Sequence, residues 1–176
     1  GRLRVLYFKI FPGTHAVQEN EEIRTVLRAY DVGGQLLIGG DAGEGNMNMD
    51  MLRSSMHTPQ RVVKFRYTGP NAAHYVMWDR ARNSYTVNKT VAVDSAMMAM
   101  LRKEFQFPRE PSAYVKVAFK HILAEYEETT SNDAGGRKMW GHAEVDPDDF
   151  LHALIFARLA IQIAIQEINL GSAAPT

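Results

Sequence analysis

Residues 36–50, LLIGGDAGEGNMNMD, decide how this chain is read. The apolar run Leu36-Leu37-Ile38 ends in Gly39-Gly40 and then Asp41, with further glycines at 43 and 45. That pattern predicts a buried strand over Gln35–Gly39, a glycine-rich exit, and a short helix over Met47–Ser55. A carboxylate at the carboxyl end of such a strand stands where open α/β sheets hold their ligands. The plainer alternative is an aspartate that caps its own turn. A second acidic group, Asp146-Pro147-Asp148-Asp149, opens a long apolar stretch about a hundred residues on. If the two groups meet, they form a metal site.

Outward from that stretch, the elements alternate. Arg2–Phe11 is rich in β-branched and aromatic residues and stops at Pro12-Gly13, which predicts a strand. It begins almost at the first residue, which suggests a chain cut from something longer. Glu19–Tyr30 carries Ile23, Val26, Leu27 and Tyr30 at helical spacing, with Asn20 as the expected N-cap. Arg61–Tyr67 reads as a strand, and Tyr75–Asp79 with Ser84–Asn88 as a hairpin across Arg80–Asn83. Helices are predicted over Thr90–Phe105, stopped by Pro108, and over Asp149–Leu170, while Tyr114–Leu123 fits helix or strand, with helix preferred. Ala124–Thr129 and Arg137–Glu144 predict a second hairpin across Asn132–Gly136. The whole predicts a mixed α/β sheet flanked by helices, one domain over 1–171 with a tail at 172–176.

Composition narrows the function classes. The 176 residues carry no net charge at neutral pH and no cysteine. Thiolate metal sites, disulfides and cysteine nucleophiles are therefore excluded, and nucleic acid must be met by a local basic patch. No apolar run reaches the roughly 18–20 residues of a membrane span, so no membrane partner is expected. A soluble intracellular protein is the expectation.

Several residues carry candidate chemistry. Carboxylates from two separated segments suit Mg²⁺ or Mn²⁺, and a pair of such ions about 4 Å apart activates water and stabilises a leaving oxygen. Asp41 supplies one side. From the other, Asp149 is the member expected to face inward, since Phe150, Leu151, Ala153 and Leu154 follow it, with Asp148 adjacent. His152, one turn beyond Asp149, is read as a supporting group behind the ligands or an occasional ligand, and more often such a histidine is a satisfied boundary residue. Glu44 and Asp50 are looser candidates. Arg80, Arg82 and Lys89, with Trp78 and Tyr85 between them, suit a phosphate backbone, and Lys64 and Arg66 extend the basic surface. The plainer account is a solvated hairpin whose aromatics pack inward. Asp41-Ala42-Gly43-Glu44-Gly45 also fits the acidic-x-Gly-x-Gly turn of S-adenosylmethionine-dependent methyltransferases. The next strand, ending Phe65-Arg66-Tyr67-Thr68-Gly69, lacks the acidic residue that would grip a ribose. No GxxxxGK[ST] nucleotide loop occurs.

Taken in order, four stretches resemble the C-terminal nuclease domain of tailed-bacteriophage terminase large subunits. They are RVLYFKIFPG (4–13), LLIGGDAGEGNMNMDML (36–52), YTVNKTVAVDSAMMAMLRKEFQFP (85–108) and DPDDFLHALIFARLA (146–160). The resemblance implies an RNase H-like fold and a metal-dependent endonuclease that cuts concatemeric double-stranded DNA. It assigns the second acidic ligand to Asp41 and the third to Asp149, with Asp148 beside it, around two Mg²⁺ or Mn²⁺ ions. The first acid, in a Gly-x-Asp-x-Gly strand, has no counterpart here. Arg2–Phe11 resembles the strand after it, so the first strand is missing or the pattern is departed from, and weak or no cleavage is expected. The implied partners are double-stranded DNA, the ATPase domain of the same terminase, the portal and the small terminase subunit, in the host cell cytoplasm. Two other classes stay open: a methyltransferase-like domain, and a non-catalytic DNA-binding or motor-interaction module. Another RNase H-like nuclease, such as a junction resolvase, would share the metal site.

Overall fold

The computed structural model describes residues 2–9, 11, 16–31, 36–43, 46–55, 61–70, 72–108, 113–130, 137–143 and 148–165. In chain order the elements are β1 (Leu3–Arg4), α1 (Ala16–Tyr30), β2 (Ile38–Asp41), α2 (Asn46–Ser55) and β3 (Val62–Thr68). There follow β4 (Val76–Asp79), β5 (Ser84–Asn88), α3 (Lys89–Leu101), β6 (Phe105–Gln106) and α4 (Ala113–Leu123). β7 (Glu125–Thr130), β8 (Arg137–His142) and α5 (Asp149–Ala164) complete the series. The fold is mixed α/β. The chain clusters into two compact units, one of Phe11–Tyr67, Val76–Thr86 and Phe156–Thr176, the other of Gly1–Ile10, Thr68–Tyr75 and Val87–Ile155.

In the first of these, a four-stranded sheet runs in the order β2-β3-β5-β4. β2 and β3 are parallel, with Ile38 opposite Val62 and Asp41 opposite Phe65. Successive strand residues face opposite ways, and the two glycines of β2 use both faces. A Cβ on Gly39 would lie 2.6 Å from the Phe156 carbonyl oxygen and 3.1 Å from the Ala160 Cβ, both in α5. A Cβ on Gly40 would collide with the Met49 thioether of α2. Helices therefore cover both faces of β2. On the α5 face, fully buried Phe65 stacks on Phe156 with centroids 5.5 Å apart and planes 4° apart, and Tyr85 lies 5.9 Å from it. On the α2 face, Met49, Leu52 and Val62 form a core against Ile23, Leu27 and Ile38. Asn20 is not the N-cap expected from sequence. It lies one turn inside α1, buried, and donates to Asn48 Oδ1 at 3.3 Å, because the helix starts earlier and the Asn20 face meets α2.

In the other unit, β1 pairs with β6 in parallel, Leu3 opposite Phe105. The long first strand expected from sequence is thus only two paired residues. Beyond them the Val5 N–H still bonds to Gln106, while Leu6 and Tyr7 are exposed. α3 is N-capped by buried Asn88, whose Oδ1 accepts from the Val91 N–H and whose Nδ2 donates to the carbonyls of Pro70 and Ala72. It stops at Leu101, short of the expected Phe105. Lys103 takes a left-handed φ of 58°, and the N–H groups of Lys103 and Glu104 close back on the carbonyls of Met100 and Ala99. That C-terminal cap ends the helix and frees Phe105 for β6. β7 and β8 are antiparallel, running from Glu125 opposite His142 to Thr130 opposite Arg137. Trp140 donates to Asp94 of α3 at 2.7 Å, which ties this hairpin to the helix. The expected loop Asn132–Gly136 and the tail 172–176 lie outside the described residues.

The two glycines make different demands. Gly39 faces backbone, which cannot rotate away, so Gly39→Ala is expected to lower stability by about 1–3 kcal/mol, the usual cost of overpacking. Gly40 faces the end of a flexible methionine, so Gly40→Ala is expected to cost clearly less. Urea midpoints of the two variants check the order.

Candidate metal centre

The start of α5 is held by two devices. The Asp148 carbonyl accepts from the N–H groups of Leu151 and His152, so Asp148 is the N-cap residue. The Phe150 N–H donates to Nδ1 of buried His121 in α4 at 3.4 Å. The Phe150 ring packs on Phe8 with centroids 5.1 Å apart. This anchoring sets the direction of the Asp148 side chain, which reaches one turn along the helix to His152. Asp148 Oδ2 is 2.7 Å from His152 Nε2.

Two other elements converge there. α4 ends at Leu123, and after Ala124 the chain enters β7 at Glu125, whose side chain is completely buried. Glu125 Oε1 lies 3.2 Å from His152 Nε2 and 2.8 Å from Lys89 Nζ, the first residue of α3. The β7–β8 register sets His142 opposite Glu125, and His142 Nδ1 reaches Asp148 Oδ2 at 3.0 Å. Glu125, Asp148 and His152 each present one ligand atom, all within 4.8 Å of one another. Glu125 Oε2 is buried and, among the described residues, has no hydrogen-bond partner. A carboxylate oxygen left so costs free energy unless something positive reaches it.

The electrostatics follow from that crowding. Burial pushes the Asp148 carboxyl up, but the His152 hydrogen bond and the charges of His152 and His142 outweigh it and hold Asp148 far below the ordinary carboxylate value. For Glu125, burial is likewise outweighed by His152 and Lys89, and the net direction is down. Burial pulls His152 down, yet hydrogen bonds to Asp148 and Glu125 and the Asp148 charge raise it overall. Two carboxylates thus face an imidazole drawn towards its protonated form and the Lys89 ammonium.

The expected site residues have different surroundings. Asp148 and His152 come together as described. Asp149 does not face inward. It is exposed, on a stripe with Ala153, Ala157 and Ile161, all exposed, because positions four apart share one side of a helix. Asp41 ends β2 in the other compact unit, where its Oδ1 accepts from the Gly43 N–H at 2.9 Å, so it caps its own turn. Glu44 and Asp146 lie outside the described residues. Asp50 pairs with Lys64 at 2.6 Å, and Lys64 is buried, so it offers no charge to a DNA backbone. It points to the α2 face because it sits two residues after Val62. Arg80 is exposed on the β4–β5 turn, and Arg82 pairs with Asp79 at 2.7 Å. Tyr85 is buried with Trp78 edge-on against it at 4.8 Å, so the hairpin aromatics pack inward. Lys89 is in the cluster, on Glu125.

Glu125 and His142 were not foreseen as site residues. The run Glu125–Thr130, EYEETT, holds three glutamates in four positions, and nothing local separates the buried one from the exposed two. Among the described residues, no helix is long and apolar enough to cross a membrane. Comparison with known proteins gives no matching family model, no matching curated protein and no matching solved structure.

The shifted groups predict a stability profile for metal-free protein. A raised His152 contributes stability fully below its unfolded value, about pH 6.5, and loses it as pH rises through the higher folded value. Lowered Asp148 and Glu125 contribute above their unfolded values near pH 4 and lose it as pH falls. Stability in EDTA is therefore expected to plateau between about pH 4.5 and 6.5. His152→Gln is expected to flatten the alkaline decline, and Asp148→Asn to weaken the acid one. Urea midpoints across pH check both.

Proposed function

We propose that this chain is a divalent-metal-dependent endonuclease domain acting on double-stranded DNA, with the ion held by Glu125, Asp148 and His152. The observation that carries this reading is the convergence of two buried carboxylates and an imidazole within 4.8 Å, with Glu125 Oε2 lacking a hydrogen-bond partner among the described residues. The donor set fits a metal. Neighbouring ligands of a six-coordinate ion about 2.1 Å from each donor stand roughly 3.0 Å apart. The Asp148–His152 and His152–Glu125 separations of 2.7 and 3.2 Å bracket that value. Two oxygens with one nitrogen suit Mn²⁺ better than Mg²⁺, which prefers oxygen alone. Such an ion supplies a water of lowered pKa and takes up charge on a phosphoryl oxygen.

The chain's own groups have definable parts in this reading. His142, exposed beside Asp148, orients that carboxylate. Asn88 fixes the backbone that carries Lys89. Arg80, exposed on its turn, and Arg82 supply charge for a phosphate backbone, as the terminase resemblance implies. In that context the partners are the ATPase domain of the same terminase, the portal and the small terminase subunit, in the host cytoplasm. Relative to the resemblance, Asp148 is kept as a ligand, while Glu125 and His152 take the parts expected of Asp41 and Asp149.

A second reading has its own support. Lys89 at 2.8 Å and a protonated His152 already balance the two carboxylates, so the cluster is complete as a buried ion-pair network. Mn²⁺ separates the two. A metal centre gives a melting temperature that climbs with Mn²⁺ concentration, by about 2.7 kcal/mol of added stability at a hundred times Kd. Glu125→Gln, Asp148→Asn and His152→Ala are expected to abolish that rise, and Asp41→Asn to keep it. Absence of any rise in the wild type leaves the ion-pair network as the answer. On DNA, replacing Arg80 and Arg82 together by alanine is expected to reduce the salt slope of binding by about two. Filter binding between 50 and 200 mM salt reads it.

A further inference from the structure

Lys89 stands where a cation is disfavoured. It is the first residue of α3, at the positive end of the helix dipole. The backbone there cannot shift to relieve this, since Asn88 holds both the Val91 N–H and the carbonyls of Pro70 and Ala72. What keeps the ammonium in place is Glu125 Oε1 at 2.8 Å. The same oxygen faces His152 Nε2 at 3.2 Å, so it is the one Glu125 would present to an ion. The Glu125 side chain is completely buried and needs a cation, whereas the Lys89 side chain is 26% exposed and has a route to water.

A divalent ion held by two carboxylates and a neutral imidazole is already charge-balanced. An ammonium retained on Glu125 would then leave one uncompensated positive charge in a buried cluster. We infer that Lys89 is the resident counter-cation of Glu125 and the built-in competitor of the divalent ion, displaced from Oε1 when the ion arrives. Lys89 thereby sets the metal concentration at which the centre fills. The inference rests on the metal reading above.

Mn²⁺ affinity, read from the electron paramagnetic resonance of free Mn²⁺ at fixed pH and low salt, tests it on wild type, Lys89→Met, Lys89→Arg and Glu125→Gln. Lys89→Met is expected to bind Mn²⁺ on the order of tenfold more tightly, Lys89→Arg no more tightly than wild type, and Glu125→Gln weakly. If wild type binds while Lys89→Met binds equally or more weakly, Lys89 positions Glu125 instead of competing. The inference is then overturned and the metal site stands. If neither wild type nor Lys89→Met binds, the metal reading and the inference fall together. If Lys89→Met fails to fold without metal, recovery of cooperative unfolding on adding Mn²⁺ supports the inference, and no recovery overturns it.

Discussion

The sheet depends on a close approach that only glycine permits. Gly39 and Gly40 sit side by side in β2, one against the α5 backbone at Phe156 and the other against Met49 of α2. Because adjacent strand residues face opposite ways, the pair lets helices close on both faces of a four-residue strand. Phe65, beside Asp41 in register, then stacks on Phe156, and Met49 and Leu52 seal the other face with Val62. The same alternation accounts for Lys64, which looks like a surface cation in sequence but is sent to the α2 face and held by Asp50.

The charged cluster depends on a constraint of a different kind. Buried carboxylates persist only when opposite charge and hydrogen bonds replace water. Here four of the five contributors arrive from the ends of elements: Lys89 from the start of α3, Glu125 from the start of β7, His142 from the end of β8, and Asp148 from the N-cap of α5. Ends of elements are where backbone groups need capping and side chains can converge without interrupting regular hydrogen bonding. Asn88 and His121 do the capping, which leaves Asp148 free to turn to His152 and His142. The arrangement sets cations against both carboxylates yet, among the described residues, leaves Glu125 Oε2 without a hydrogen-bond partner. That imbalance distinguishes the cluster from an ordinary surface salt bridge such as Arg24–Glu21.

By itself the sequence determined the local elements and their order. Period-two and period-3.6 patterns predicted α1, α2, the β4–β5 hairpin across Arg80–Asn83, α4 and the β7–β8 pair, because those patterns record which face is apolar. It also singled out the acidic opening of α5 as a candidate site. It misjudged where α3 stops, since the cap at Lys103 uses a non-glycine residue in a left-handed conformation that composition does not announce. Only the tertiary structure decided which carboxylates are buried together. Asp148 and Asp149 are neighbours with the same chemistry, and a helical rotation of one residue buries the first and exposes the second. Glu125 is distinguished from Glu127 and Glu128 solely by what packs over it. Burial and convergence are properties of long-range contacts, which a linear pattern does not encode, so the cluster became legible only once α3, α4, β7, β8 and α5 had been brought to one place.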